Sequence, residues 1–306
     1  MNVANLAPVL IFCYKRLDTL KQTITALQKN SLAKDTELFI FSDGAKTEAD
    51  KIIIDEIRNY LKTVNGFKCT NVKESAVNKG LANSIISGVT EVIEQYGRVI
   101  VLEDDLLTTP NFLTFMNEAL NRYQQIEKIF SISGYSFNLG AYSKEGFDAY
   151  FLNRGWSWGW ATWKDRWNKV DWEVSDYQSF KNDKYQQRQF SKGGSDLNKM
   201  LQHQMEGKLD SWAIRWFYHQ FKVQGLTLYP VYSKIYNNGF DASATHTSGS
   251  DRRYRPLLDT TYSSKFSLPK TIEINQYFQE RFTKKMGIFS RIRSKIETLL
   301  LNRYEG

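Results

Sequence analysis

The chain has 306 residues and a net charge of +8, with 24% charged and 14% aromatic residues. That length can bury a large core, and the composition excludes a disordered protein. Its 2 cysteines, Cys13 and Cys69, exclude a disulfide framework; both lie beside apolar runs and read as buried free thiols in a reducing, cytoplasmic compartment.

No run approaches the ~20 apolar residues that span a bilayer, and Pro8 to Tyr14 is too short for a secretory signal. That segment reads as a first strand, Val9 to Cys13. A helix is expected from Asp18 to Gln28, with Leu20, Ile24 and Leu27 on one face. Glu37 to Phe41 is a second strand, running into Ser42, Asp43 and Gly44. Asp50 to Thr63 is a helix, Lys68 to Lys73 a third strand and Leu81 to Tyr96 a third helix. Arg98 to Leu102 is a buried strand that runs straight into Glu103, Asp104 and Asp105. Strands alternating with helices of this length predict an α/β fold on a mainly parallel sheet.

After Pro110 the texture changes. Phe112 to Ile126 reads as a helix and Ile129 to Ser133 as a strand, and Tyr150 to Trp172 is dense in aromatics. Residues 173–209 are polar and helical in pattern, Asp210 to Val223 is a helix, Thr227 to Tyr232 a strand, and Asn237 to Ser250 a loop of small residues.

In a parallel sheet, ligands bind at the carboxyl ends of the strands. Three polar sets fall there: Tyr14-Lys15-Arg16, Ser42-Asp43-Gly44 and Glu103-Asp104-Asp105. The glycine-rich fingerprints of dinucleotide and P-loop enzymes are missing from the sequence. Three consecutive carboxylates after a buried strand repel one another unless a cation or solvent offsets them. Oxygen donors suit Mg²⁺ or Mn²⁺, which bridge one or two carboxylates to a substrate diphosphate. A solvated turn capping the next helix is the alternative, since acids favour helix N-termini.

Glu103-Asp104-Asp105-Leu106, followed by Thr109-Pro110-Asn111-Phe112-Leu113, resembles the acidic motif of GT-A-fold glycosyltransferases. The likeness is closest to the inverting N-acetylglucosaminyltransferases of N-glycan processing and their bacterial polysaccharide-biosynthesis relatives. It implies a UDP-sugar donor, with N-acetylglucosamine as the best single choice, and Mn²⁺ or Mg²⁺ held by Asp105. It places Glu103 and Asp104 beside the donor. More thinly, it extends to Tyr14 and Arg16 near the uridine, Asp43 at the uracil, and Asn78 and Lys79 close to the donor. Asp43 with Gly44 also reads as a turn pair, and Asn78 to Gly80 as a loop before a helix.

By the same likeness, Asp210 is the general base that takes the acceptor proton; an N-cap of the following helix is the other reading. The segment holding Trp156, Trp158 and Trp160, and also Trp212, falls on the acceptor side, although core packing suits any single indole as well. His246 would reach the metal or the diphosphate. Arg16, Lys79, Arg252 and Arg253 could offset diphosphate charge or simply solvate.

The implied division is a nucleotide-sugar-binding half over 1–145, an acceptor-binding half over 146–283 and a basic amphipathic tail over 284–306. The tail carries Lys284, Lys285, Arg291, Arg293, Lys295 and Arg303, with Ile288, Ile292, Ile296 and Leu299 on one face. It reads equally as a helix on the inner, anionic face of the membrane, near a glycan or lipid-linked acceptor, or as one docked on protein. A non-catalytic carbohydrate or lipid-head-group module is the competing function. The three acids speak against it, because such a module has little use for them. Nucleic acid is not an expected partner, since the positive charge gathers in the tail instead of interleaving with aromatics on strands.

Overall fold

The computed structural model describes residues 6–140, 146–240 and 251–304. The first strand, β1 (Val9–Cys13), alternates its side chains across the sheet as a two-residue period requires. Val9, Ile11 and Cys13 join one core cluster, while Leu10 and Phe12 join the other. Helix α1 (Leu17–Gln28), β2 (Glu37–Ser42), α2 (Asp50–Leu61), β3 (Cys69–Glu74), α3 (Leu81–Tyr96) and β4 (Arg98–Glu103) follow. Strand β1 pairs in parallel with β2 on one side and β4 on the other, and β2 pairs with β3. The chain therefore moves outward from β1 to β3 and then crosses back to β4. That reversal opens a crevice at the carboxyl ends of β1 and β4, where open α/β sheets bind ligands.

The later elements are β5 (Leu106–Thr108), α4 (Phe112–Tyr123), β6 (Ile129–Ser133), β7 (Ala149–Leu152), β8 (Trp160–Trp163) and α5 (Lys164–Trp167). They continue with α6 (Tyr177–Asn182), α7 (Lys184–Ser191), α8 (Leu197–Met205), α9 (Trp212–Lys222), β9 (Leu226–Pro230), β10 (Ile235–Asn237), α10 (Gln276–Met286) and α11 (Ile288–Tyr304). One sheet orders its strands β3-β2-β1-β4-β8-β6-β9-β7. In it β1–β4, β6 and β9 run one way, and β7 and β8 run the other. The result is the mixed, mainly parallel sheet that the alternating pattern predicts. A separate ribbon, β5 with β10, stands beside the acidic strand end.

Three local expectations are corrected. Cys69 is exposed, because it opens β3 at the sheet edge, and only Cys13 is buried. Helix α4 ends at Tyr123, short of Ile126, where the Arg166 guanidinium reaches the carbonyls of Tyr123 (3.4 Å) and Gln124 (2.8 Å). Helix α9 begins at Trp212, and its cap is Ser211, whose hydroxyl accepts the Ile214 N–H at 3.3 Å. Asp210 is thus outside the helix and exposed.

Helix α11 leaves Ile288, Phe289, Ile292 and Ile296 exposed. No helix among the described residues is long and apolar enough to cross a membrane.

Candidate functional site

The crevice between β1 and β4 gathers two of the three polar sets directly. The Tyr14 N–H, the first after β1, donates to Asp104 Oδ2 at 3.3 Å, and Arg16 pairs with Asp105 Oδ2 at 2.8 Å. The Tyr14 hydroxyl donates to Asp50 Oδ2 at 2.8 Å and accepts the Lys46 N–H at 3.1 Å, which latches the start of α2 against the cleft. Asp50 and Lys46 are missed by sequence reasoning, because their link to Tyr14 is set by the turn after β2 and not by any local pattern.

Asp43 is buried, and its carboxylate accepts three backbone N–H groups, from Gly44 (2.9 Å), Lys79 (2.9 Å) and Gly80 (3.1 Å). It ties the end of β2 to the loop that opens α3. Gly80 turns there at φ +75°, a left-handed conformation that suits a residue without a side chain. Asn78 completes the tie by donating to the Gly44 carbonyl at 2.9 Å. The Lys79 side chain is exposed and does not line the cleft, and its backbone N–H is the group that meets Asp43.

On the far side of the acids, β10 delivers the Asn238 N–H to the Asp105 carbonyl at 2.8 Å. Gly239 then passes so close to the Asp105 carboxylate that any side chain at 239 would overlap it. His246 lies outside the described residues.

Burial, with the charges of Asp105 and Asp104, raises the Glu103 carboxyl well above the carboxylate range. Burial and Asp105 push Asp104 up to about 7, against the lowering pull of the Tyr14 N–H and Arg16. The site is therefore short of positive charge. Among the described residues, the acids at the strand end offer oxygen donors, the kind that suit Mg²⁺ and Mn²⁺. No group of three or more His, Cys, Asp or Glu side chains that could hold a metal ion exists among the described residues. One or two of these carboxylates fit a cation whose remaining ligands are diphosphate and water.

Two clefts meet at this point. The first, about 480 Å³, is lined by Tyr14, Arg16, Asp43, Asn78, Glu103, Asp104, Asp105 and Asp210, with Phe12 and Phe41 stacked at 4.9 Å between centroids. The second, about 390 Å³, shares Leu81, Glu103, Asp105 and Asp210 with the first and adds Trp156, Trp158, Trp212 and Tyr254. Trp160 is a core residue and no part of either wall: it is 2% exposed, with Trp167, Trp212 and Trp216 around it. That corrects its placement on the acceptor side, and the reason is the period of β8, which turns it into the layer under α9. Trp212 packs into the same layer and still borders the second cleft. A larger cavity of about 680 Å³, around Asp176, Phe180, Tyr185 and Lys222, lies away from the acids and shares only Arg154 and Phe217 with the second cleft.

Among solved structures, a mannosyltransferase from Pyrobaculum calidifontis in complex with GDP-Man and Mn²⁺ is similar at 8% identity, with a TM-score of 0.36 over 53% of this chain and 46% of that one. S. aureus TarS is similar at 12% identity and a TM-score of 0.32, over 47% of this chain and 24% of that one. The chain thus spans less than half the length of these solved structures. No curated protein matches the sequence. The family model for glycosyl transferase family 2 matches residues 9–180. That stretch runs from the start of β1 into α6 and contains the crevice and the acidic strand end, so the chain belongs to glycosyl transferase family 2.

Proposed function

We propose that the protein moves a sugar from a nucleoside-diphosphate donor in the first cleft to an acceptor hydroxyl that enters through the second. The observation that carries this reading is the shared border: Glu103, Asp105 and Asp210 line both clefts. A reacting bond at that border would have the diphosphate on one side and the acceptor on the other. The stacked Phe12 and Phe41 give the first cleft an apolar surface suited to a flat base. Asp43, buried under three N–H groups, orders the loop that closes that cleft.

Asp210 stands outside α9, exposed and facing both clefts, and serves as the general base. It takes the proton of the acceptor hydroxyl while that oxygen bonds to the anomeric carbon. The bond from that carbon to the diphosphate oxygen breaks on the opposite face, so the configuration inverts. Asp105, with Asp104 behind it, would hold Mn²⁺ or Mg²⁺, and Arg16 holds Asp105 in place. A bound divalent cation would supply Lewis-acid stabilisation of the departing diphosphate. A UDP-sugar, with N-acetylglucosamine the first to try, is the donor we propose. Where the acceptor is lipid-linked, the exposed Ile288, Phe289 and Ile292 of α11 would face the leaflet.

Isothermal titration of UDP and other nucleoside diphosphates, with and without Mn²⁺, tests the reading. Metal-dependent binding to wild type that disappears in Asp105→Ala is expected. Absence of nucleotide binding under every metal condition would overturn it.

A further inference from the structure

The second cleft carries a chemistry that sugar transfer alone does not require. Besides the acids on its border, it is lined by three guanidinium groups, those of Arg154, Arg253 and Arg291. Arg154 is forked onto Asp196, with both N–O distances 2.9 Å, and donates to the Gly193 carbonyl at 3.2 Å. Arg291, on α11, donates to Ser195 Oγ at 3.3 Å. Lys285 Nζ reaches the Arg253 carbonyl at 3.4 Å and brings a fourth cation. Among the described residues, the carboxylate that acts on Arg253 is Asp196, which Arg154 already occupies, and Arg253 Nη2 donates to the Tyr254 hydroxyl.

Arg253 is the telling member. Its Nε and Nη1 are buried and have no hydrogen-bond partner among the described residues. The same holds for Arg154 Nε and for the indole Nε1 of Trp156, which lines the same cleft. Buried donors without acceptors are costly, and clustered cations repel. A ligand that brings negative charge and several acceptor oxygens relieves both. Planar guanidinium forks match phosphate oxygens in particular. Trp158 and Tyr254, 5.4 Å apart between ring centroids, add flat apolar surface for an attached sugar ring.

We infer that the acceptor carries a phosphate group, and that Arg253 and Arg291 bind it in the second cleft with Arg154 fixed behind them. The phosphate anchors the acceptor so that its hydroxyl lies toward Asp210. This rests on the second cleft being the acceptor side.

The test is titration of sn-glycerol 3-phosphate into protein already saturated with UDP and Mn²⁺, with glycerol as the neutral control. Wild type should bind the phosphate ester and not glycerol. Arg253→Gln and Arg291→Gln should each weaken that binding about tenfold or more, with UDP affinity unchanged. Should Arg253→Gln fail to fold, as a melting curve would report, Arg291→Gln carries the comparison. Vesicles of phosphatidic acid form the second arm. Arginine-dependent binding to vesicles identifies a lipid-borne phosphate, and binding of the soluble ester alone identifies a soluble one. Binding by neither probe, binding indifferent to both substitutions, or displacement of the ester by UDP overturns the inference; displacement would assign the arginines to the donor diphosphate. Ester binding that persists in protein with no affinity for any nucleotide would sink the donor reading and leave the anion site standing.

Discussion

The two halves of the chain handle charge in opposite ways. At the ends of β1 and β4, three acids share a crevice in which Arg16 pairs with Asp105 and burial holds Asp104 up at about 7. In the later half two buried pairs are matched, Arg154 forking Asp196 and Lys234 meeting Asp259, while Arg253 keeps buried donors without partners among the described residues. The crevice gathers acids of one sign, whereas the matched pairs spend their electrostatics on holding loops to the sheet. Binding capacity and stability should therefore separate along this line, and substitutions in each half should fail in different assays.

The largest effect is expected at the border itself. Asp210→Asn removes the proposed base while keeping the shape of the side chain, so kcat should fall by roughly 10²–10⁴, about 3–5 kcal/mol of barrier. UDP affinity and melting temperature should stay near wild type, because the side chain is exposed and caps no helix. A variant that keeps a tenth or more of its turnover would remove Asp210 from the chemistry.

Asp196→Ala should show the reverse. It leaves Arg154 buried and unpaired, a loss of about 3–5 kcal/mol in unfolding free energy by urea titration. Replacing both partners, Arg154→Met with Asp196→Leu, should recover much of it, since apolar side chains leave no buried charge. If the single substitution costs under about 1 kcal/mol, the pair is not what anchors this half.

Lys234 and Asp259 make the same contrast visible in pH. Burial alone would raise the Asp259 carboxyl, but the Lys234 ammonium, the Thr261 N–H and hydroxyl, and Asn111 together hold it at about 2. A carboxyl depressed in the fold stabilises above its unfolded value, near 3.9. That stability, roughly 2 kcal/mol, should be lost as pH falls from about 4 through 2. Asp259→Asn should flatten this part of the pH–stability curve. An unchanged acid limb in the variant would show that other carboxylates govern it.

How much of this was legible in the sequence follows the same division. The β1–β4 half is built from local periodicity: β1 and α3 have the ends that apolar spacing predicts, and the acids sit where a parallel sheet presents them. The cleft pairs Tyr14 with Asp104 and Arg16 with Asp105 only because β1 and β4 are neighbours, a fact of topology and not of spacing. In the later half the decisive contacts span the chain, as between Arg154 and Asp196 or Asn111 and Asp259, and no window of sequence reveals them. The tryptophans show the limit best. Trp156, Trp158 and Trp160 look alike in sequence, but β8 sends Trp160 into the core and the preceding turn leaves the other two at the cleft.

The smallest effect tests whether repulsion is really stored among the acids. Asp104 accepts one backbone N–H, lies partly within reach of solvent, and stands between two other carboxyls. Asp104→Asn keeps the shape and can still accept the Tyr14 N–H through its carbonyl oxygen, while it takes away a carboxylate whose charged form burial and Asp105 disfavour. The metal-free protein should then gain stability, on the order of 1 kcal/mol once solvent screening is allowed for. Saturating Mn²⁺ should shrink that gain, because a bound cation offsets the same repulsion in wild type and stabilises the fold that binds it. Thermal melts of both proteins with and without Mn²⁺ form the complete square. Equal melting temperatures in all four conditions would mean that solvent, and not a ligand, neutralises the strand end, and the solvated-turn reading of the three acids would prevail.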